Sequence, residues 1–174
     1  MKSKTDMQKP SMAKHRSMQG VVAVELAILM IPLIMLAFGA VEFGRAIYHY
    51  NTLAKAVRDG ARLLAQNNPT DASYAARQNE ARCLVMHGNT ACTGPTLVPA
   101  LTAAQVVLCD RVHLDGCTNG PYGNVPTGAG LINLVEVKID GYQFTYLGLP
   151  VTVTLSALPP IVFDDIRAVM RQII

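Results

Sequence analysis

The spacing of hydrophobic positions changes character along this chain. From Val21 to Val41 almost every residue is apolar, and Glu25 is the only charged side chain. This run of 21 residues would be ~32 Å long as a helix, enough to cross a hydrocarbon core of about 30 Å. Pro32 and Gly39 interrupt it, and membrane helices tolerate both, with Pro32 a candidate kink. Past Val41 the pattern becomes a stripe. Phe43, Ile47, Tyr50, Ala54, Val57, Ala61 and Leu64 recur at steps of three and four, as on one face of a helix. Arg45, His49, Lys55, Arg58, Asp59 and Arg62 fall largely off that stripe. Asn67-Asn68-Pro69 is a strong stop. One helix is therefore predicted from near Val21 to Gln66. The stripe needs a cover, either the chain's own domain or the helices of neighbouring subunits.

A second helix is predicted over 70–87, capped by Thr70 or Asp71 and ended by Gly88. Ala75, Ala76, Cys83, Leu84 and Met86 would supply part of its inner face. Residues 93–99 read as loop, and 106–114 are rich in strand formers. The Gly- and Pro-rich stretch 116–130 reads as an exposed loop, a natural place for contacts. Period two then takes over: Val135, Val137 and Ile139 alternate with Glu136, Lys138 and Asp140, the mark of a half-buried strand. Asp140-Gly141 predicts a hairpin turn, with Tyr142, Phe144 and Tyr146 on the return. Residues 151–155 suggest another strand, broken by Pro159-Pro160. A last strand is expected over 166–170, against the alternative that Asp164 caps a short helix. The expected fold class is α+β: a long amino-terminal transmembrane and amphipathic helix, then a small disulfide-stapled domain with a short helix and an antiparallel sheet.

Charge sharpens the division. Lys and Arg total 15 against 12 Asp and Glu. Lys2, Lys4, Lys9, Lys14 and Arg16 all precede Gly20, with only Asp6 to oppose them. The rest of the chain is close to neutral, so it carries no basic stripe for nucleic acid, and aromatic content of 6% is too low for a base-stacking platform. A basic flank before an apolar run reads as the cytoplasmic side. The segments are 1–20, a basic leader; 21–41, the span; 42–66, its extracytoplasmic continuation; and 67–174, an extracytoplasmic domain.

Cys83, Cys92, Cys109 and Cys117 all follow the span, on the side where disulfides persist. Three connectivities are open; the local pairs Cys83–Cys92 and Cys109–Cys117 are favoured, each closing a short loop. Zinc is the rival, because Cys83/His87 and Cys109/His113 are each four apart, but no C-x-x-C exists and two cysteines would be left over. His15 and His49 read as solvated, and Asp164-Asp165 as a solvated turn. G-x-S-x-G, H-E-x-x-H and phosphate-cradling glycine loops are absent, so no enzyme and no cofactor is expected.

Glu25 is the remaining anomaly. A bare carboxylate inside a membrane helix costs roughly 2.5–3.5 kcal/mol on insertion scales, which makes it a functional-site hypothesis by default. A cut after Gly20 would place a new amino terminus at Val21, about one helical turn from Glu25, where ammonium and carboxylate can neutralise each other.

The segment QGVVAVELAILMIPLIMLAFGAVEFGR, residues 19–45, resembles the amino-terminal region of TadE-like proteins, pseudopilins of the tight-adherence (Tad, Flp-type) pilus system within the type IV pilin superfamily. The likeness covers the leader boundary, the apolar helix with its Glu and Pro, and the exit carrying Glu42 and Arg45; it continues through VRDGARLLAQ, and the second half of the chain matches only loosely. The resemblance implies a pilin-like fold and a prepilin leader cut between Gly20 and Val21 by a membrane aspartyl prepilin peptidase. It makes Glu25 the pilin-type glutamate at the fifth mature residue. It implies a single-pass protein of the bacterial inner membrane, amino terminus inside, whose partners are the peptidase, other pilins or pseudopilins and the assembly platform. Ordinary pilins carry Phe after the glycine, where this chain has Val21, so amino-terminal methylation does not follow. The expected function is that of a minor pilin or pseudopilin needed for pilus assembly or export in surface adherence. Two alternatives stand beside it: a single-pass anchor presenting an unrelated extracytoplasmic binding domain, and a secreted protein cut after Gly39, where Ala37-Phe38-Gly39 offers small residues at signal-peptidase spacing.

Overall fold

A computed structural model describes residues 15–146 and 160–172, with side chains from Gly20 onward. The leader before His15 and the proposed strand over 151–155 lie outside the described residues. The chain divides into two compact units, Met1–Phe43 and Gly44–Ile174. Helix α1, His15–Ala65, contributes to both. It begins before Gly20 rather than at Val21, and Pro32 lies within it. In the first unit every described side chain from Gly20 to Val41 is exposed. The run is long and apolar enough to cross a membrane, and outward-facing apolar side chains on every side of a helix suit lipid rather than water.

The second unit is α+β. Its elements are the rest of α1, α2 (Tyr74–His87), a 3-10 turn (Ala103–Gln105), β1 (Val106–Cys109), β2 (Val125–Thr127), β3 (Gly130–Ile139), β4 (Gln143–Phe144), β5 (Ile161–Val162) and β6 (Ile166–Gln172). β3 is the central strand. It pairs antiparallel with β1 through Val106↔Ile139 to Cys109↔Glu136 and with β6 through Asn133↔Gln172 to Ile139↔Ile166. β2 forms a hairpin with the start of β3. Val135, Val137 and Ile139 of β3 join Leu53, Val57, Ala61 and Leu64 of α1 and Tyr74, Ala81 and Val85 of α2 in one core. The three elements come close together at Gly60: a Cβ there would stand 2.9 Å from Val85 Cγ2 and 3.7 Å from Val137 Cγ1.

Several expectations change. On α1 the lower half of the predicted stripe, Val57, Ala61 and Leu64, is buried, but Phe43, Ile47 and Tyr50 are exposed, and in the second unit Ala46, His49 and Leu53 take the inner face instead. Helix α2 starts at Tyr74, because Asn68 Oδ1 accepts from the Thr70 amide and hydroxyl and holds that residue in a turn. Its buried residues are Tyr74, Ala81 and Val85; Ala75 and Ala76 face solvent. Gly88 ends it as expected, with φ 73° and its N–H on Leu84 O. The Asp140-Gly141 hairpin does not form: both flanks of β3 are already occupied, and β4 pairs with β5. Within 116–130, Tyr122 is buried and Val125–Thr127 is strand. The final strand is present as β6, whose Gln172 donates to Asn67 O (2.9 Å) and closes the carboxy-terminal end of α1.

Candidate functional site

The residues singled out in the amino-terminal helix fall on one element. Gly20, Val21 and Glu25 all lie in α1 with exposed side chains. A Cβ at Gly20 would meet nothing within 4 Å. The fold therefore gives no packing reason for glycine there, although glycine costs a helix about 1 kcal/mol relative to alanine. Glu42 is buried, and the Arg45 guanidinium stands 5.3 Å from the centre of the Phe144 ring, a cation–π distance.

One turn further, His49 is buried rather than solvated. Its Nδ1 lies 3.0 Å from Tyr142 Oη, and its ring meets Phe144 edge-on at 5.2 Å. The Tyr142 hydroxyl also lies within hydrogen-bond reach of Pro99 O, at 3.1 Å. Tyr142 also stacks on Phe163 at 5.8 Å. Burial pushes the Tyr142 hydroxyl above its ordinary pKa, and Arg45 pulls it partly back. This cluster explains the turned stripe. The aromatic residues of β4 and its flanks accept an imidazole and small side chains, leaving Ile47 and Tyr48 outward, while the half-exposed Tyr50 meets the Phe163 ring at 5.8 Å.

The second face of β3 holds the residues that sequence reasoning missed. Glu136 and Lys138 are 0% and 1% exposed. The Glu136 carboxylate accepts from the Tyr122 hydroxyl and from Asn119 Nδ2 (3.2 Å), and Arg167 stands 4.0 Å away. Burial, then Glu136, push the Tyr122 hydroxyl up to about 12. Lys138 Nζ lies 3.5 Å from Asp140 and 3.6 Å from Asp165, so Asp165 is an ion-pair partner rather than part of a free turn. A buried carboxylate with several donors clamps the loop 119–122 over the sheet. The signal available in the sequence was Tyr122 itself, one aromatic residue in an otherwise Gly- and Asn-rich loop.

The cysteines pair locally, Cys83–Cys92 and Cys109–Cys117, so the sulfurs that would have served zinc are joined to each other. His113 Nδ1 is held at 3.0 Å by the buried Asp110 carboxylate, and His87 Nδ1 lies 2.9 Å from Gly94 O. Among the described residues no group of three or more His, Cys, Asp or Glu is placed to hold a metal ion.

Among curated proteins and among solved structures, nothing matches this chain. Over residues 20–62, the helical segment that carries Gly20, Val21, Glu25, Glu42 and Arg45, the chain matches the family model described as TadE-like protein.

Proposed function

We propose that this chain is a non-catalytic pseudopilin or minor pilin, inserted in the inner membrane with its amino terminus inside, and needed to assemble or export a Tad pilus used in surface adherence. The observation that carries the reading is Glu25, about one turn past Val21, inside the segment that matches the TadE-like model. Prepilin peptidase cuts between Gly20 and Val21. That peptide bond lies in helical backbone, so cleavage requires local unwinding. Glycine, the poorest helix former after proline, makes unwinding easiest at that point. The amine released at Val21 then neutralises Glu25, its own or a neighbour's, and favours one axial register between subunits. The outward Ile47 and Tyr48, 45% and 66% exposed, supply apolar surface for those neighbours.

The test is the mature amino terminus, read by mass spectrometry from membranes that contain the peptidase. A terminus at Val21 supports the reading; one at Ala40, or an intact Met1, refutes it. Glu25→Leu separates a pilin from a plain anchor. An anchor gains membrane affinity from that change, whereas the pseudopilin inserts normally and pilus assembly is lost.

A further inference from the structure

A groove lies between α2 and the outer edge of β1, with a volume of about 740 Å³. It belongs to a part of the chain outside residues 20–62, and its reading does not rest on the pilus assignment. Strand β1 has a strand partner on one side only among the described residues, which is β3. The phase of that pairing is set by the Asp140 N–H, which donates to Gln105 O at 2.9 Å. Backbone groups of Gln105, Val107 and Cys109 therefore turn toward β3, and those of Val106 and Leu108 turn outward. The Val106 N–H is used by Ala103 O, and the Leu108 carbonyl is covered by the disulfide sulfur of Cys117 at 4.0 Å, which has no proton to donate to it. What the edge offers to the groove is the Val106 carbonyl and the Leu108 N–H. This is the acceptor and donor pair that flanks one residue of an added strand.

The opposite wall is α2, which presents Gln78, Asn79 and Arg82. Among the described residues Arg82 makes a long contact with Asn79 Oδ1, at 3.5 Å, and no carboxylate pairs with it in an ion pair. His113 and Asp115 stand at the other rim, His113 oriented by Asp110. Both walls are stapled. Cys83 follows Arg82 on α2 and bonds to Cys92; Cys109 ends β1 and bonds to Cys117. Each staple ties its wall to the loop that follows it, and walls restrained in this way have less freedom to lose when the groove is filled.

We propose that this groove binds an extended peptide segment of a partner protein, which adds to the edge of β1 through Val106 and Leu108 and places an acidic side chain or carboxy-terminal carboxylate on Arg82. The recognition is backbone addition plus one charge-assisted anchor. A four-residue edge limits the contact to a short stretch, so the affinity is modest and suits a reversible partner.

The probe is a fluorescein-labelled Val-Thr-Val-Glu peptide with a free carboxy terminus, titrated by anisotropy into the full chain in detergent micelles. Saturable binding below about 1 mM, weakened about tenfold by Arg82→Gln, is the expected result. Hydrogen exchange at the Leu108 amide slows in the complex. The same peptide with every backbone amide N-methylated binds at least tenfold more weakly; it needs no protein variant, so a folding defect cannot imitate the outcome. Three results overturn the proposal: no saturation by 1 mM, equal binding of the N-methylated peptide, or displacement of the probe by chitotetraose with the Leu108 amide unprotected, which would make the groove a glycan site.

Discussion

Gly60→Ala tests the packing of the second unit, because two effects of known size oppose each other there. Replacing glycine by alanine in a helix interior stabilises by about 0.8–1.0 kcal/mol. At Gly60, however, the new methyl carbon would stand 2.9 Å from Val85 Cγ2, 3.5 Å from Ala81 O and 3.7 Å from Val137 Cγ1. Val85 is 0% exposed, and a β-branched side chain has few rotamers into which it can retreat. Overpacking of this kind costs typically about 1–3 kcal/mol, so the clash wins and the expected net loss is roughly 1 kcal/mol. Gly44 is the internal control: it lies in the same helix with nothing within 4 Å of its would-be Cβ, and Gly44→Ala keeps the propensity gain. Val85→Ala alone opens a cavity and costs about 2 kcal/mol. In Gly60→Ala/Val85→Ala the new methyl occupies space that the valine vacated, and the pair shows a favourable coupling of about 1 kcal/mol or more. The assay is denaturant unfolding of the full chain in detergent, followed by far-UV circular dichroism. If Gly60→Ala is as stabilising as Gly44→Ala, or the double variant is simply additive, α1 does not meet α2 and β3 at this glycine and the described core is wrong.

Three further outcomes follow from the same geometry. Replacing Cys83 and Cys92 by alanine reopens a loop with a sequence separation of 9; chain entropy sets the loss at about 2.5 kcal/mol, or roughly 8–10 °C in Tm, readable by thermal unfolding. Tyr122→Phe removes a donor from the buried Glu136 carboxylate, costs about 1.5–3 kcal/mol and speeds hydrogen exchange over residues 119–124; unchanged exchange there would deny the clamp. Tyr74, Tyr122 and Tyr142 all have hydroxyls pushed above the ordinary value, Tyr122 to about 12. The folded state holds these protons more tightly than the unfolded state does. Their stabilisation is intact below about pH 10, is lost as pH rises toward 12, and couples part of the phenolate absorbance at 295 nm to loss of circular dichroism. A single phenolate transition with the fold intact contradicts it.

What the sequence disclosed follows from which patterns are local. The apolar run, the stop at Asn67-Asn68-Pro69, the Gly88 cap and the short cysteine loops depend on residues close in the chain, and the structure keeps them. The errors arose where a distant segment chose the face. Period two at Val135–Asp140 identified a strand but could not show that its polar face is covered, because the cover is Tyr122 and Asn119 from a loop that reads as solvent-exposed. The α1 stripe was mis-phased over 43–50 for the same reason: Tyr142 and Phe144 select His49 for the interior, and hydrophobicity alone ranks Ile47 and Tyr50 above it. Among the described residues Ile47 and Tyr48 stay outside while a histidine is buried, and the reason is polar rather than hydrophobic: the His49 ring nitrogen meets the Tyr142 hydroxyl at 3.0 Å while the ring packs edge-on against Phe144, and an isoleucine in that place would leave the buried hydroxyl without that partner.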